Sequence, residues 1–287
     1  MAAHVKNNSR KRNGWRIVFW IALFIFIICA AVLGYLLWTY WDAQKQYDDL
    51  KVNVSIGSTL SDMTVDWDAL SEKNPDICGW IYVPDTPISY PICWKEGNDS
   101  YYLYHNFNHR STSFGAEYGC IFLSGNNKKD WSDNSNLIYG HNMLNGTGMM
   151  FSIFSANQGN SQWFNSHRTI YILTPQGNYK LNTYAQNKVP AYTTDIVYTS
   201  FPNQEEIAKY VDARKAASLV EANPAGKESS KIDKLFTFST CSSPDDYNRI
   251  LMLSEKEEFV EVGGKSSSSV DTNDVQVIQD DAQALQN

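Results

Sequence analysis

A cysteine closes a β-like run at "LFTFSTC" (235–241), and eight residues later an arginine opens another, "RILML" (249–253). Side chains alternate along a strand, so Phe236, Phe238 and Thr240 share one face, while Leu235, Thr237, Ser239 and Cys241 share the other. The phenylalanines suit a core, which leaves Cys241 at a strand end on the more polar face. Between the runs, "SSPDDYN" holds turn-forming Pro and Asp. A tight strand-loop-strand there sets Arg249 beside Cys241. A thiolate is a nucleophile, and a neighbouring cation stabilises it or the oxyanion formed when it attacks a carbonyl. A guanidinium suits that task because it stays charged and holds its donors in a fixed fork. The same two residues also fit a half-buried thiol and a surface arginine paired with Asp245 or Asp246.

Thiol chemistry at a carbonyl needs an acid or base, usually histidine. Of the five histidines, His4 lies ahead of a long apolar run, and His105, His109 and His167 sit in loop-like surroundings. His141 ends "NLIYGH", follows a glycine that permits close approach, and precedes "NMLNGTGMMF". A strand-end histidine at a barrel rim offers its imidazole to a site; a structural turn histidine is the other reading.

The elements that must carry these residues are short. "GWIYV" (79–83), "GCIFLSG" (119–125), "SNLIYGH" (135–141) and "TIYILTP" (169–175) are β-branched and aromatic runs bounded by Gly, Asn and Pro. "NYKLNTYAQNKVPAY" reads as a further strand pair. Many short strands at close spacing predict a mainly β fold, a barrel or a sandwich. A short helix in "DWDALSEKN" stops near Asn74-Pro75. One longer amphipathic helix starts at Asn203, which can cap with Glu206 three residues on. It carries Ile207, Tyr210, Val211 and Arg214 at i, i+3, i+4 and i+7, and runs to about Leu219.

At the N-terminus, Ile17 to Trp38 is an uncharged run of 22 residues, long enough to span the ~30 Å hydrocarbon core of a bilayer. It exceeds a signal-peptide core and lacks a small-x-small site, so it reads as an uncleaved single-pass anchor. Five of the 24 Lys and Arg precede or open it, and none of the 31 Asp and Glu lie before residue 42. The basic end stays cytoplasmic and the rest lies outside the cell membrane. That remainder is acidic, which argues against a nucleic-acid partner. Four cysteines (78, 93, 120 and 241) follow the anchor without metal-type spacing. The first three are expected to be buried thiols, with pairing among them possible. The organisation read from this is a cytoplasmic stretch 1–16, a transmembrane helix 17–38, a stalk 39–64, a catalytic domain 65–262 and an acidic, disordered tail 263–287.

Together these motifs resemble the sortases, membrane-anchored cysteine transpeptidases of Gram-positive surfaces. "TFSTC" is similar to the family's Thr-Leu-x-Thr-Cys signature, with Phe238 for Leu. "NPDICGWIYVPDTPISYPI", "YYLYHNF", "GCIFLSG" and "NLIYGHNMLNGTGMMF", with a helix ahead of the Cys241 strand, resemble class B in order. The resemblance covers roughly residues 65 to 262. It implies a closed β-barrel with short peripheral helices and one inserted amphipathic helix. It implies Cys241, His141 and Arg249 as catalytic residues. Cys241 would cleave an Asn/Ser-Pro-x-Thr-Gly/Asn-like C-terminal sorting signal after Thr, and a peptidoglycan amine would take the acyl group. Arg249 and the Ser242 backbone N–H would hold the oxyanion. Tyr139, Ser239, Thr240, Tyr198 and Asn98 are the remaining substrate-binding candidates. The partners implied are secreted proteins with sorting signals, a peptidoglycan precursor and membrane lipid at the anchor. No metal or organic cofactor is implied. Ser242 stands where an acid is common in some relatives, and Asn98 precedes Asp99 where the reverse order is expected. A plain cysteine endopeptidase, a pilin-polymerising sortase and a non-enzymatic surface protein stay open as alternatives.

Overall fold

A computed structural model describes residues 10–111, 119–143, 148–193, 197–242 and 247–261. The expected tail, 263–287, and Asp245 and Asp246 lie outside the described residues. The chain divides into two units that part between Asp49 and Leu50. The first carries helix α1 (Arg10–Leu50), the one described helix long and apolar enough to cross a membrane. Its Trp20, Phe24 and Phe26 are exposed, as a helix surrounded by lipid requires and a core helix does not.

The second unit opens with a two-stranded pair, β1 (Val54–Ser55) and β2 (Thr64–Val65). Helix α2 (Trp67–Lys73) follows, its first turn capped by Asp66, which accepts from the Ala69 N–H. Two residues of the segment expected as a stalk, 39–64, are held against a later strand segment. Leu60 and Met63 are buried, and Asn178 Nδ2 donates to both of their carbonyls, at 2.9 and 2.8 Å. Polar composition hid this, because so few apolar residues do the anchoring.

Eight strands then close a barrel: β3 (Ile77–Tyr82), β4 (Ser89–Trp94), β5 (Ile121–Leu123), β6 (Ser135–Tyr139), β7 (Thr169–Leu173), β8 (Asn178–Pro190), β9 (Leu235–Cys241) and β10 (Asn248–Val260). Their order around it is β10-β8-β7-β3-β4-β5-β6-β9, and the β9–β10 pair closes the ring. The interior face of β9 is the predicted one. Phe236 packs against Trp131 and Tyr179, and Phe238 against Phe151 and Phe154. Trp131 enters from the 125–134 loop and donates from Nε1 to the Cys78 carbonyl at 2.8 Å. Gly79 makes the room, since a Cβ there would meet the Trp131 ring at 2.9 Å.

Short helices sit between the strands: α3 (Tyr101–Tyr104), α4 (Ser152–Ala156) and α5 (Ser161–Ser166). Helix α6 (Gln204–Ala216) is the inserted amphipathic one, capped by Asn203 through the Glu206 N–H at 3.0 Å. Ile207 and Val211 pack onto Leu235, Leu251, Leu253 and Tyr184, forming a second core on the outer surface of β8, β9 and β10. The helix ends at Ala216 rather than near Leu219, because Ser218 and Leu219 turn away to bond the Gln186 backbone.

The expected strand pair over 178–192 is instead the single strand β8. Against β10 its register skips Tyr184, with Leu253 opposite Ala185 and Ser254 opposite Thr183. That extra residue is a bulge, which bends a strand without ending it and turns Tyr184 into the outer core. The irregular alternation that suggested two strands is the trace of the bulge.

Candidate active site

Three strand ends meet at one rim of the barrel. In the antiparallel β9–β10 pair Arg249 lies directly across from Cys241, a position in which side chains share a face with Cβ atoms ~4.5–5.5 Å apart. Strand β6 runs parallel to β9 with Tyr139 beside Ser239, and the Gly140 N–H continues the ladder to the Ser239 carbonyl at 3.1 Å. The next residue is His141, so in-register parallel pairing brings it alongside the end of β9. A cleft of about 210 Å³ is lined by His141, Cys241, Arg249, Tyr139, Ser239 and Thr240 among others. Two motifs that lie far apart in the sequence thus share one cavity.

The imidazole of His141 is oriented by backbone. Its Nε2 lies 2.7 Å from the Leu103 carbonyl in α3. A carbonyl only accepts, so Nε2 bears the hydrogen, and Nδ1 is the ring nitrogen left to gain or lose a proton. Tyr139 stacks near Phe122, 5.2 Å between centroids. Burial, then the Asp99 charge, pushes its phenol up to about 12 against the pull of Arg249. It therefore stays a neutral hydrogen-bonding wall throughout the neutral range.

Other candidates fall elsewhere. Thr240 has its side chain on the core side, with Oγ1 buried and lacking a hydrogen-bond partner. The Ser242 N–H, expected to share the oxyanion with Arg249, already donates to the Asn248 carbonyl at 2.9 Å and closes the hairpin. Its hydroxyl donates to Gln158, so Ser242 stands outside the cleft. Asn98 is exposed, and its Oδ1 accepts from the Ser100 and Tyr101 N–H groups at the start of α3. Asp99 is the residue on the cleft, held by Ser124 Oγ and by the Gly125 N–H at 2.6 Å. Tyr198 belongs to the far end of β6, where its carbonyl accepts from Ser135 Oγ at 2.7 Å.

Ser100, Leu103, Phe122 and Gly140 also line the cleft. Phe122 was visible as part of a strand and Leu103 as part of "YYLYHNF", but neither carries reactive chemistry that would single it out. Among the described residues no group of three or more His, Cys, Asp or Glu side chains is placed to hold a metal ion. Cys78, Cys93 and Cys120 are buried, with Cys93 and Cys120 sulfurs 3.5 Å apart and no disulfide formed. Burial pushes the Cys78 and Cys93 thiols well up, away from the reactive thiolate.

No protein-family model matches the chain. Over 214 residues it is 31% identical to Sortase B of Listeria monocytogenes, covering 74% of this chain and 80% of that protein. Sortase B of Staphylococcus aureus is 23% identical over 230 residues, 77% and 88% of the two chains. The solved structure of Clostridium perfringens sortase B matches with a TM-score of 0.59 at 26% identity, over 67% of this chain and 99% of that one. A sortase B-like protein of Bacillus anthracis has the same fold, TM-score 0.63 at 23% identity, over 78% of this chain and 98% of that one.

Proposed function

This chain belongs to the sortase B family, and from that premise we propose that it is a membrane-anchored cysteine transpeptidase using Cys241, His141 and Arg249. The observation that carries the reading is the β9–β10 register, which sets a guanidinium opposite the thiol at the rim where His141 follows β6. Sortase B chains of the same fold have been solved in complex with a substrate and with triglycine. Those complexes support a peptide donor and an amine acceptor here.

The Cys241 sulfur attacks the carbonyl after Thr in an Asn/Ser-Pro-x-Thr-Gly/Asn-like sorting signal. The oxyanion of the tetrahedral intermediate lies against Arg249, whose fork of N–H donors strengthens its grip as charge develops. His141 Nδ1 gives its proton to the departing amine, the C–N bond breaks and a thioester remains on Cys241. An incoming amine from a peptidoglycan precursor loses a proton to the same nitrogen, attacks the thioester and restores the thiolate as the amide forms. The helix around 17–38 holds the enzyme in the membrane, with residues 1–16 cytoplasmic and the catalytic domain, about 65–262, outside. Confinement to the surface where its secreted substrates arrest raises their effective concentration.

The full chain in detergent micelles, given Pro-x-Thr-Gly and Pro-x-Thr-Asn peptides with and without triglycine, tests this by mass spectrometry. The expected products are cleavage after Thr, an acyl adduct on Cys241 and an amine-dependent ligated peptide. Cys241→Ala and His141→Ala should abolish turnover, and Arg249→Lys should lose about a hundredfold in kcat. Cleavage that no amine alters would make the protein an endopeptidase, and the absence of any adduct would remove the reading.

A further inference from the structure

Helix α6 and the segment before it enclose a second cavity, of about 530 Å³, that the reaction at Cys241 does not use. One wall is aromatic: the rings of Tyr198, Phe201 and Tyr210 lie 5.1, 5.7 and 5.0 Å apart, pair by pair. That wall is fixed in place. Asn134 both donates to and accepts from the Phe201 backbone at 2.8 Å, and Asn127 Nδ2 donates to the Thr199 carbonyl at 3.1 Å.

Two cations line the cavity, and they differ. Lys209 is held between Glu205 and Glu206 at 2.8 and 3.0 Å. The Arg214 guanidinium lies 5.8 Å from the Tyr210 ring centroid. Its Nε is buried with no hydrogen-bond partner, and among the described residues no carboxylate pairs with it. Glu205 and Glu206 together offset Lys209, so among the described residues Arg214 is the cation on this lining that no carboxylate neutralises. A guanidinium without a carboxylate partner offers charge-assisted hydrogen bonds from its cavity-facing N–H groups to a bound carboxylate, and the aromatic wall favours an apolar stem behind that carboxylate.

Position in the fold indicates where the carboxylate comes from. The Tyr210 side chain bonds that of Thr237, and Thr237, Ser239 and Cys241 alternate onto one face of β9, with the last two on the active-site cleft. From Thr237 to Cys241 the strand rises ~13 Å, which an extended peptide spans in about four residues. We propose that the Arg214 cavity is a subsite for the polypeptide substrate, receiving an Asp or Glu side chain about four to six residues from the bond that Cys241 attacks. The proposal rests on the transpeptidase reading and adds a preference that this reading does not contain.

The test uses the full chain in micelles and peptides built on a Pro-x-Thr-Gly core. One series carries Glu four, five or six residues before the Thr–Gly bond, another carries it at the same spacings after, and each has a Gln counterpart. The rate of acyl-adduct formation at low peptide concentration gives kcat/KM. Glu in one series should exceed Gln about tenfold, and Arg214→Gln should erase the difference. Arg214→Glu should reverse it so that Lys peptides are preferred, a change of sign that poor folding does not produce. The series that responds gives the direction in which the peptide lies. Equal rates for Glu and Gln, or a Glu preference that survives Arg214→Gln, would overturn the subsite and leave the transpeptidase standing. No adduct with any peptide would overturn the parent reading, and the subsite with it.

Discussion

His141 is oriented by an atom that belongs to no particular side chain. The Leu103 carbonyl takes the hydrogen on Nε2, and Gly119 lies behind both partners. A Cβ at Gly119 would stand 2.5 Å from the Tyr102 carbonyl oxygen, 2.7 Å from that of Leu103 and 2.8 Å from His141 Nε2. No real Cβ approaches so closely, so Gly119→Ala must displace the imidazole or its support. A displacement near 1 Å at a proton-transfer group costs on the order of a hundredfold in rate. Gly119→Ala is therefore expected to lower kcat ~10–100-fold on a sorting peptide with KM little changed, and a wild-type kcat would show that His141 is not held this way. The sequence exposed Cys241, Arg249 and His141 because strand alternation and a short turn are local patterns. It could not expose Leu103 or Gly119, whose contributions are a backbone oxygen and an absent side chain. Nor could it say which of Asn98 and Asp99 lines the cleft: Asp99 does, while Asn98 Oδ1 accepts from the N–H groups at the start of α3, and composition does not distinguish the two.

At the scale of elements, the four-residue helix α3 matters beyond its length, because it carries Leu103. It is tied down by a buried polar network. The Tyr102 hydroxyl donates to Asp76 at 2.9 Å and accepts from Asn74 Nδ2 at 3.1 Å, while Asn74 also donates to the Phe107 carbonyl at 2.9 Å. Burial raises the Asp76 pKa, but hydrogen bonds from Lys95 and Tyr102 outweigh it and leave the carboxyl below its ordinary value. A depressed folded-state pKa means the stabilisation is complete above the unfolded value of about 3.8 and is lost as the pH falls through the folded one. Tyr102→Phe takes a hydrogen-bond partner from Asp76 and from the fully buried Asn74, and is expected to cost about 1–3 kcal/mol in a urea melt at pH 7. Its difference from wild type should narrow below about pH 3.8 as Asp76 protonates; a constant difference would mean that Asp76 contributes nothing to it. Elements were legible where periodicity was regular, as in β5, β6 and β7 and the capped start of α6. They were illegible where long-range bonds redirect the chain, as at the Tyr184 bulge, the Ser218–Leu219 exit from α6 and the Leu60–Met63 segment clamped by Asn178.

At the scale of the whole molecule, the division after Asp49 separates two physical problems. The second unit has its own closed barrel and its own cores, so its stability is set by contacts within itself. The first is a helix whose large apolar side chains are mostly exposed from Trp15 to Trp41, with Tyr47 buried beyond them. A version beginning at Asp42 is therefore expected to keep the barrel's melting temperature and to match the full chain within about twofold on a soluble sorting peptide. The anchor should matter only when the substrate shares the membrane. With both in one liposome surface, encounter becomes two-dimensional, and effective concentration rises by roughly two orders of magnitude or more without any new contact. Full chain and Asp42 version should thus diverge by about a hundredfold on a lipid-anchored sorting peptide in liposomes, while remaining equal on the soluble one. Equal rates on the anchored peptide would assign the helix to retention alone. A loss on the soluble peptide as well would mean that the barrel needs residues before Asp42 to hold its active form.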